Sequence, residues 1–114
     1  MLKILLAPST YQTRPDLVKN LEEILSPTSE EGIVASLEGM KERPDSTGML
    51  GQIAVPTLIF HGADDQIIAL TESETIQSGI PNSRLEIIPD AGHMVNLEQP
   101  EIFNSSTENF LASI

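Results

Sequence analysis

The chain contains no cysteine and no tryptophan, and only one tyrosine and three phenylalanines among its 114 residues. Without cysteine it can form neither disulfide bonds nor thiolate metal sites, which fits the reducing cytoplasm, and we expect a cytoplasmic location. So few aromatic rings leave little material for a surface that stacks on nucleic-acid bases. A hydrophobic core therefore has to consist mainly of Leu, Ile, Val and Ala side chains.

Basic residues are also scarce, since six Lys and Arg stand against 17 Asp and Glu and give a formal net charge of −11. Such a negative field repels phosphate backbones and anionic lipids, so we expect neither a nucleic-acid nor a membrane partner. The acidic residues are spread along the chain, which is typical of a solvated surface. The apolar segment 2–7 is too short to span a bilayer, and no signal-peptide cleavage site follows it.

The hydrophobic periodicity changes near Gly51 and divides the chain into an N-terminal segment, 1–50, and a C-terminal segment, 51–114. In the first segment Pro15 is suited to begin one helix, and Ser29 is suited to cap a second. Apolar residues recur at helical spacing after both positions: Leu17, Val18, Leu21, Ile24 and Leu25, then Ile33, Val34, Leu37 and Met40. The first segment is therefore predicted to be helical.

The C-terminal segment alternates between strand and helix patterns. Residues 55–60 form a continuous β-favouring run, typical of a strand covered on both faces, and 84–88 form a second run. We expect a helix between them over 71–78 and a last helix that begins at Pro100. Four apolar residues of that last helix can share one face: Ile102, Phe103, Phe110 and Leu111. The order β-α-β-α predicts an α/β fold with two parallel strands and a right-handed crossover.

The predicted sheet has too few strands to be stable alone. A parallel sheet normally has both faces covered, and an unpaired hydrophobic edge is a template for association. We therefore expect a partner along the edge of the first strand, and a homodimer is preferred because C₂ pairing is the commonest closed arrangement. The alternatives are a complementing N-terminal fragment of the same fold, pairing of segment 2–6 as an additional strand, or aggregation.

Two acidic residues and a histidine follow the predicted strands. Asp64 and Asp65 come after the first strand, and His93 comes after the second, so their loops are expected at the same sheet edge. A carboxylate there can hold an imidazole by its Nδ1–H and stabilise the imidazolium that forms when a serine is deprotonated. We expect a hydrogen bond of about 2.6–3.2 Å. In the alternative interpretation, His93 only closes a turn at Gly92, and the aspartates cap the following helix.

A metal site is a further alternative for the same residues. His61, Asp64, Asp65 and His93 are nitrogen and oxygen ligands that could converge on one ion. An acid–histidine pair accounts for these residues with fewer assumptions, so no metal is predicted.

Two motifs stand out in the sequence of residues 53–111: Val-Pro-Thr-Leu-Ile-Phe-His-Gly-Ala-Asp-Asp and, later, Ile-Pro-Asn-Ser-Arg-Leu-Glu-Ile-Ile-Pro-Asp-Ala-Gly-His. With these motifs in this order, the segment closely resembles the end of α/β-hydrolase-fold proteins. This resemblance implies that Asp65, three residues after the glycine, is the acid of a Ser…Asp…His triad and that His93 is its base. Asp64 is then a neighbour of the acid. The resemblance implies neither an organic cofactor nor a metal.

Residues 1–50 resemble, less specifically, the end of a helical cap domain. Gly-Met-Lys-Glu-Arg-Pro-Asp-Ser, from Gly39 onward, is similar to the return from cap to core in members with small substrates, including enol-lactone hydrolases and esterases. Arg43 is then a candidate substrate-facing or cap-to-core residue. The alternative, which we favour, is a surface arginine paired with Asp45.

The nucleophile of such a triad is absent, because no Gly-x-Ser-x-Gly occurs in the sequence. Ser9 lacks flanking glycines and is expected in a loop or at a helix cap, and Ser78 is expected at a helix end. The resemblance implies the C-terminal portion of a serine hydrolase for an ester, lactone or similar acyl bond, inactive alone. A non-catalytic truncated remnant or interaction module is the alternative. In a third interpretation, another polypeptide supplies the serine.

Overall fold

The computed structural model describes the backbone of residues 2–114. Over this range the chain forms α-helices of four to 13 residues, a 3-10 helix and a two-stranded sheet. The α-helices are α1 (Leu2–Leu5), α2 (Pro8–Thr13), α3 (Pro15–Leu25), α4 (Glu30–Glu42), α5 (Leu70–Gly79), α6 (Val95–Glu98) and α7 (Pro100–Ala112). The strands are β1 (Thr57–Gly62) and β2 (Ser83–Ile88), and a 3-10 helix, Thr47–Gln52, precedes β1.

The two helices predicted for the first segment begin where the sequence indicates. Pro15 is the first residue of α3, where its missing N–H would have had no helical partner. Ser29 caps α4, because its Oγ accepts the Gly32 N–H at 3.0 Å. Packing is less complete than the periodicity suggests. Leu21 is buried in α3, whereas every residue on the apolar stripe of α4 is exposed: Ile33, Val34, Leu37 and Met40.

Segment 2–6, which was one candidate for an additional strand, is mostly helical. Residues 2–6 lie mostly in α1, so they add no strand to the sheet. Leu6 and Ala7, between α1 and α2, are completely buried. Ser9 lies inside α2 and is exposed, which corrects the expectation of a loop or capping position. Pro8 begins that helix, and its fixed φ is compatible with a first helical residue.

The sheet has the predicted parallel order, and its register runs from Thr57 opposite Ser83 to Gly62 opposite Ile88. Strand β1 begins after Pro56, which has no N–H to donate, and continues two residues beyond the expected end at Phe60. Helix α5 forms the crossover between the strands. The α/β class and the β-α-β-α order are therefore confirmed, with the short α6 as an addition before α7.

A small core lies between β1, the loop after β2 and α7. Ile88, Ala91 and Val95 are buried together, and Phe60 and Phe103 pack against them with ring centroids 4.6 Å apart. The predicted apolar face of α7 is only partly buried. Phe103 and Phe110 are half-buried, whereas two other members of that face are exposed, namely Ile102 and Leu111.

The chain leaves more surface in water than a folded monomer of its size normally does. Its accessible surface is 7881 Å², compared with about 6100 Å² expected for 12.4 kDa. Its radius of gyration is 15.9 Å, compared with about 13 Å for a compact domain of this length. Thr57–Gly62 pairs only with β2 in the described part of the chain, so its other edge is open, and its first four residues are half-buried. Between residues 2 and 114, none of the helices is long and apolar enough to cross a membrane.

We therefore predict that the chain associates in solution, with a dimer as the main species. The excess surface of one chain is larger than the area that each partner buries in a standard protein interface, about 800 Å². The net charge of −11 opposes growth beyond a small oligomer. Sedimentation velocity at micromolar concentration should give about twice the monomer mass of 12.4 kDa. A compact monomer that melts cooperatively would contradict the prediction.

Candidate active site

The loops that follow the two strands are joined by backbone hydrogen bonds. At the end of β1, the Ala63 N–H donates to Ile88 O at 2.8 Å, and the Asp64 N–H donates to Ala91 O at 2.9 Å. The Asp65 N–H turns back to Gly62 O at 3.1 Å. Because parallel strands end at the same sheet edge, these bonds bring the acidic loop against the histidine loop.

Two glycines allow the loops to approach so closely. A Cβ atom on Gly62 would lie 2.0 Å from Gly92 O and 2.5 Å from Ala91 O. On Gly92 it would lie 2.5 Å from the backbone nitrogen of Ala7. Any side chain at either position would collide with backbone atoms, which cannot rotate away. Gly62 and Gly92 are therefore required by the contact between the loops and the N-terminal segment.

The imidazole of His93 contacts the carboxylate of Asp65. His93 Nδ1 lies 3.1 Å from Asp65 Oδ2, within the distance expected from the sequence. A carboxylate only accepts hydrogen bonds, so the proton is on Nδ1 and the lone pair of Nε2 is free to act as a base. The side chain of Asp65 is 6% exposed and that of His93 is 38% exposed. Asp64 is exposed and contributes its backbone to the loop, so the aspartate in contact is the one that the resemblance indicates.

Asp65 is held from its other side by the backbone that follows it. Its Oδ1 accepts the N–H groups of Ile67 at 2.8 Å and Ile68 at 3.0 Å. Partial burial raises the pKa of Asp65, but these two N–H groups and the adjacent His93 outweigh it and hold the pKa below 3.8. The carboxylate therefore remains ionised at neutral pH, as an acid that orients a histidine must be. The helix-capping role in the alternative interpretation is not observed, because α5 begins at Leu70 and no side chain caps its N-terminus. Ile67 and Ile68 lie in the loop before that helix.

This lowered pKa predicts a loss of stability in acid. A carboxyl group whose pKa is lower in the folded state stabilises the fold above its unfolded pKa of about 3.9, and this contribution disappears as the pH falls through the lower folded value. We expect the urea unfolding free energy to fall between pH 5 and pH 3 more steeply for the parent than for Asp65→Asn. The variant corrects for the other carboxyl groups, which titrate in both proteins. Equal slopes would contradict the prediction.

The N-terminal segment also packs onto both loops. The His93 N–H donates to Leu5 O at 3.0 Å, and Gln66 Nε2 donates to Leu6 O at 2.9 Å. These contacts were not visible from the sequence, because they join residues about 60 to 90 positions apart. The surroundings of the Asp65–His93 pair are therefore built from three separate parts of the chain.

The four residues considered as metal ligands do not form one cluster. His61 is buried, and its Nδ1 lies 2.8 Å from Ser73 Oγ on α5, while Asp65 contacts His93. Residues 2–114 hold no group of three or more His, Asp or Glu side chains arranged to bind a metal ion. The metal alternative is therefore not supported by this arrangement.

Arg43 does not form the ion pair with Asp45 that the favoured interpretation predicts. In the part of the chain that the structure describes, no ion pair joins them. Asp45 instead accepts the Thr47 N–H at 2.9 Å, and the Thr47 hydroxyl and N–H together lower the pKa of this exposed carboxyl group. Arg43 lines an open cleft of about 380 Å³ between the 3-10 helix and α5, together with Leu50 and Glu72.

Glu98 is the polar residue near the site that the sequence did not indicate. Its side chain is 1% exposed, and its two oxygens accept three hydrogen bonds from the N-terminal segment and the histidine loop. The signal available in the sequence was an acidic residue five positions after His93, between Leu97 and Gln99. The spread of acidic residues along the chain predicts a solvated side chain here, and for Glu98 this prediction is wrong.

Comparison with known proteins relates this site to a family. The family model for the alpha/beta hydrolase fold matches residues 3–100. The chain is 31% identical to 3-oxoadipate enol-lactonase 2 of Acinetobacter baylyi over 101 residues, which cover 89% of the chain and 37% of the lactonase. It is 37% identical to the 2-hydroxy-6-oxononadienedioate/2-hydroxy-6-oxononatrienedioate hydrolase of Klebsiella pneumoniae over 83 residues, 72% of the chain and 29% of the hydrolase.

A solved structure is similar over almost the whole chain. A thermophilic esterase from Thermogutta terrifontis, with malate bound, superimposes with a TM-score of 0.91 and 34% identity, covering 99% of this chain and 42% of the esterase. The chain thus spans less than half the length of each of these three proteins. From the family match, the identities and the superposition, the chain belongs to the α/β-hydrolase-fold family.

Proposed function

We propose that this chain carries the acid and the base of a serine α/β-hydrolase that cleaves an ester, a lactone or a similar acyl bond. The observation that carries the proposal is the 3.1 Å contact between His93 Nδ1 and Asp65 Oδ2, in the loops after two parallel strands. The names of the relatives, which include an enol-lactonase and an esterase, support the substrate class. A small molecule is therefore the proposed substrate, and the cytoplasm is the proposed compartment.

In this proposal each residue has one role. Asp65 accepts the Nδ1–H of His93 and keeps the imidazole in the tautomer whose Nε2 can take a proton. Nε2 removes the proton from a serine hydroxyl as it attacks the acyl carbon, and then returns that proton to the leaving group. Between these two proton transfers Asp65 stabilises the imidazolium, because its lowered pKa keeps the carboxylate ionised at neutral pH. No Gly-x-Ser-x-Gly is present, so the serine and the oxyanion hole have to come from another part of the fold.

We also propose a division of the chain at residue 50. Residues 1–50 would be the end of a helical cap, and residues 51–114 would be the last part of the core. The helices of the first segment and the β-α-β-α order of the second support this division. Arg43, in the cleft between the two segments, is then a candidate cap-to-core residue.

The open edge of β1 and the exposed stripe of α4 favour a second candidate. A non-catalytic interaction module would use the same apolar surfaces to bind another copy or a complementing fragment. The two candidate functions differ in whether the Asp65–His93 pair is needed. A hydrolase needs it for proton transfer, whereas a non-catalytic module does not. Activity in a completed fold therefore distinguishes them.

The test is a chimaera in which this chain replaces the matched 42% of the T. terrifontis esterase. The isolated chain should hydrolyse a nitrophenyl ester no faster than its own His93→Ala variant, and a fluorophosphonate should label none of its serines. The chimaera should hydrolyse the ester and should be labelled once, in the part contributed by the esterase. A folded chimaera without activity would contradict the proposed function and favour the interaction module.

A further inference from the structure

Glu98 lies at the end of α6, completely enclosed between the histidine loop and the N-terminal segment. Its Oε1 accepts the Ala7 N–H at 2.7 Å and the Thr10 hydroxyl at 2.8 Å. Its Oε2 accepts the Gly92 N–H at 2.8 Å. A buried carboxylate is unfavourable unless its oxygens are hydrogen-bonded, and here both are. Glu98 therefore supplies hydrogen-bond acceptors to three buried donors, which an apolar side chain at this position could not do.

The three donors of Glu98 belong to the two segments that fix the backbone of His93. The Gly92 N–H, one residue before His93, is held by Glu98 directly. The His93 N–H donates to Leu5 O at 3.0 Å. Glu98 in turn binds the residues that follow Leu5, through the Ala7 N–H and the Thr10 hydroxyl. The Glu98 carboxylate thus binds the histidine loop at Gly92. It also binds the N-terminal segment, whose Leu5 carbonyl accepts the His93 N–H.

We propose that Glu98 is a positioning residue for His93, because it keeps the turn at Gly92 in the place where the imidazole reaches Asp65. The inference rests on the proposed function, since it gives Glu98 a role in an acid–base pair. Glu98 itself does not contact the reacting atoms, and it acts through the backbone of the histidine loop.

The number and direction of the donors explain why the residue is a glutamate. All three groups donate, and an ionised carboxylate is an acceptor at both oxygens. A glutamine of the same size has one NH₂ group in place of one oxygen. If this group faces Gly92, the Gly92 N–H has no acceptor, and if it faces the other side, the Ala7 N–H has none. Either orientation leaves one buried backbone N–H unpaired.

The experiment compares Glu98→Gln with the parent chain and with Glu101→Gln, a matched change at an exposed residue of α7. The readout is the titration of the Asp65 side-chain carboxyl carbon by NMR, which reports the pKa of that group. His93 is one of the groups that lower this pKa, so displacement of the imidazole should raise it in Glu98→Gln. Glu101→Gln should titrate like the parent. A purely structural role for Glu98 would lower the unfolding midpoint and leave the Asp65 titration unchanged.

A second variant, His93→Ala, separates the inference from the proposed function. If Asp65 titrates at a higher pH in His93→Ala and in Glu98→Gln, both are supported. If it does so in His93→Ala alone, the role of Glu98 is wrong and the acid–base pair stands. If His93→Ala titrates like the parent, the pair itself is absent, which overturns both. Should Glu98→Gln fail to fold, Thr10→Val removes one donor from the same Oε1 and should give a smaller shift in the same direction. No shift in that variant would contradict the inference.

Discussion

Replacing Asp65 by Asn in the chimaeric esterase should lower kcat by about 10⁴-fold, the loss seen when the acid of a serine protease triad is changed in this way. The amide has a nearly identical shape, so it would preserve packing in the loop. Its NH₂ group, however, donates to the imidazole and favours the wrong tautomer, with the proton on Nε2. Asparagine also carries no charge to stabilise the imidazolium. Initial rates with a nitrophenyl ester at neutral pH measure the effect.

Asp64→Asn is the matched control, because Asp64 is the adjacent aspartate and is exposed. It removes the same charge from the same loop, and its kcat should stay within a few-fold of the parent chimaera. His93→Ala should lose at least as much activity as Asp65→Asn, since it removes the base itself. If Asp64→Asn is the damaging change, the acid has been assigned one residue too late.

Replacing Gly62 by Ala should destabilise the chain by about 4 kcal/mol or more, a size reached only when a substitution disrupts the core or the backbone. The new Cβ would lie 2.0 Å from Gly92 O and 2.8 Å from Gly92 C, so one of the two strand-end loops has to move. The histidine turn would be displaced with it. We expect a large fall in the urea midpoint, or a chain that no longer unfolds cooperatively.

Gly39→Ala provides the control for this change. Gly39 lies within α4, and apart from its neighbours in the helix no described atom lies within 4 Å of the place where its Cβ would be. Alanine has the higher helix propensity, so this variant should be stabilised by roughly 0.5–1 kcal/mol. Equal midpoints for the two alanine variants would mean that the close approach at Gly62 is absent.

Local features of the sequence determined where most elements begin. Pro15, Ser29 and Pro100 mark the starts of α3, α4 and α7, because a proline or a capping serine acts on neighbouring backbone groups. The α/β class and the parallel strands followed from the order of strand and helix patterns. The same topology predicts that the acidic loop lies beside the histidine loop, since adjacent parallel strands end at one edge. The family resemblance, and not the topology, indicates Asp65 as the partner of His93.

The tertiary structure decided which of these residues are buried and what they contact. Glu98 reads in sequence as one more surface acid, but its partners include Ala7, 91 positions away, and no local pattern indicates such a partner. In sequence, His61 is a candidate metal ligand together with Asp64, Asp65 and His93, but in the structure its Nδ1 contacts Ser73 on α5. Conversely, the apolar stripe of α4 correctly predicts a helix, yet its side chains are exposed. Periodicity reports which face of an element is apolar, whereas burial depends on which distant segment packs against that face.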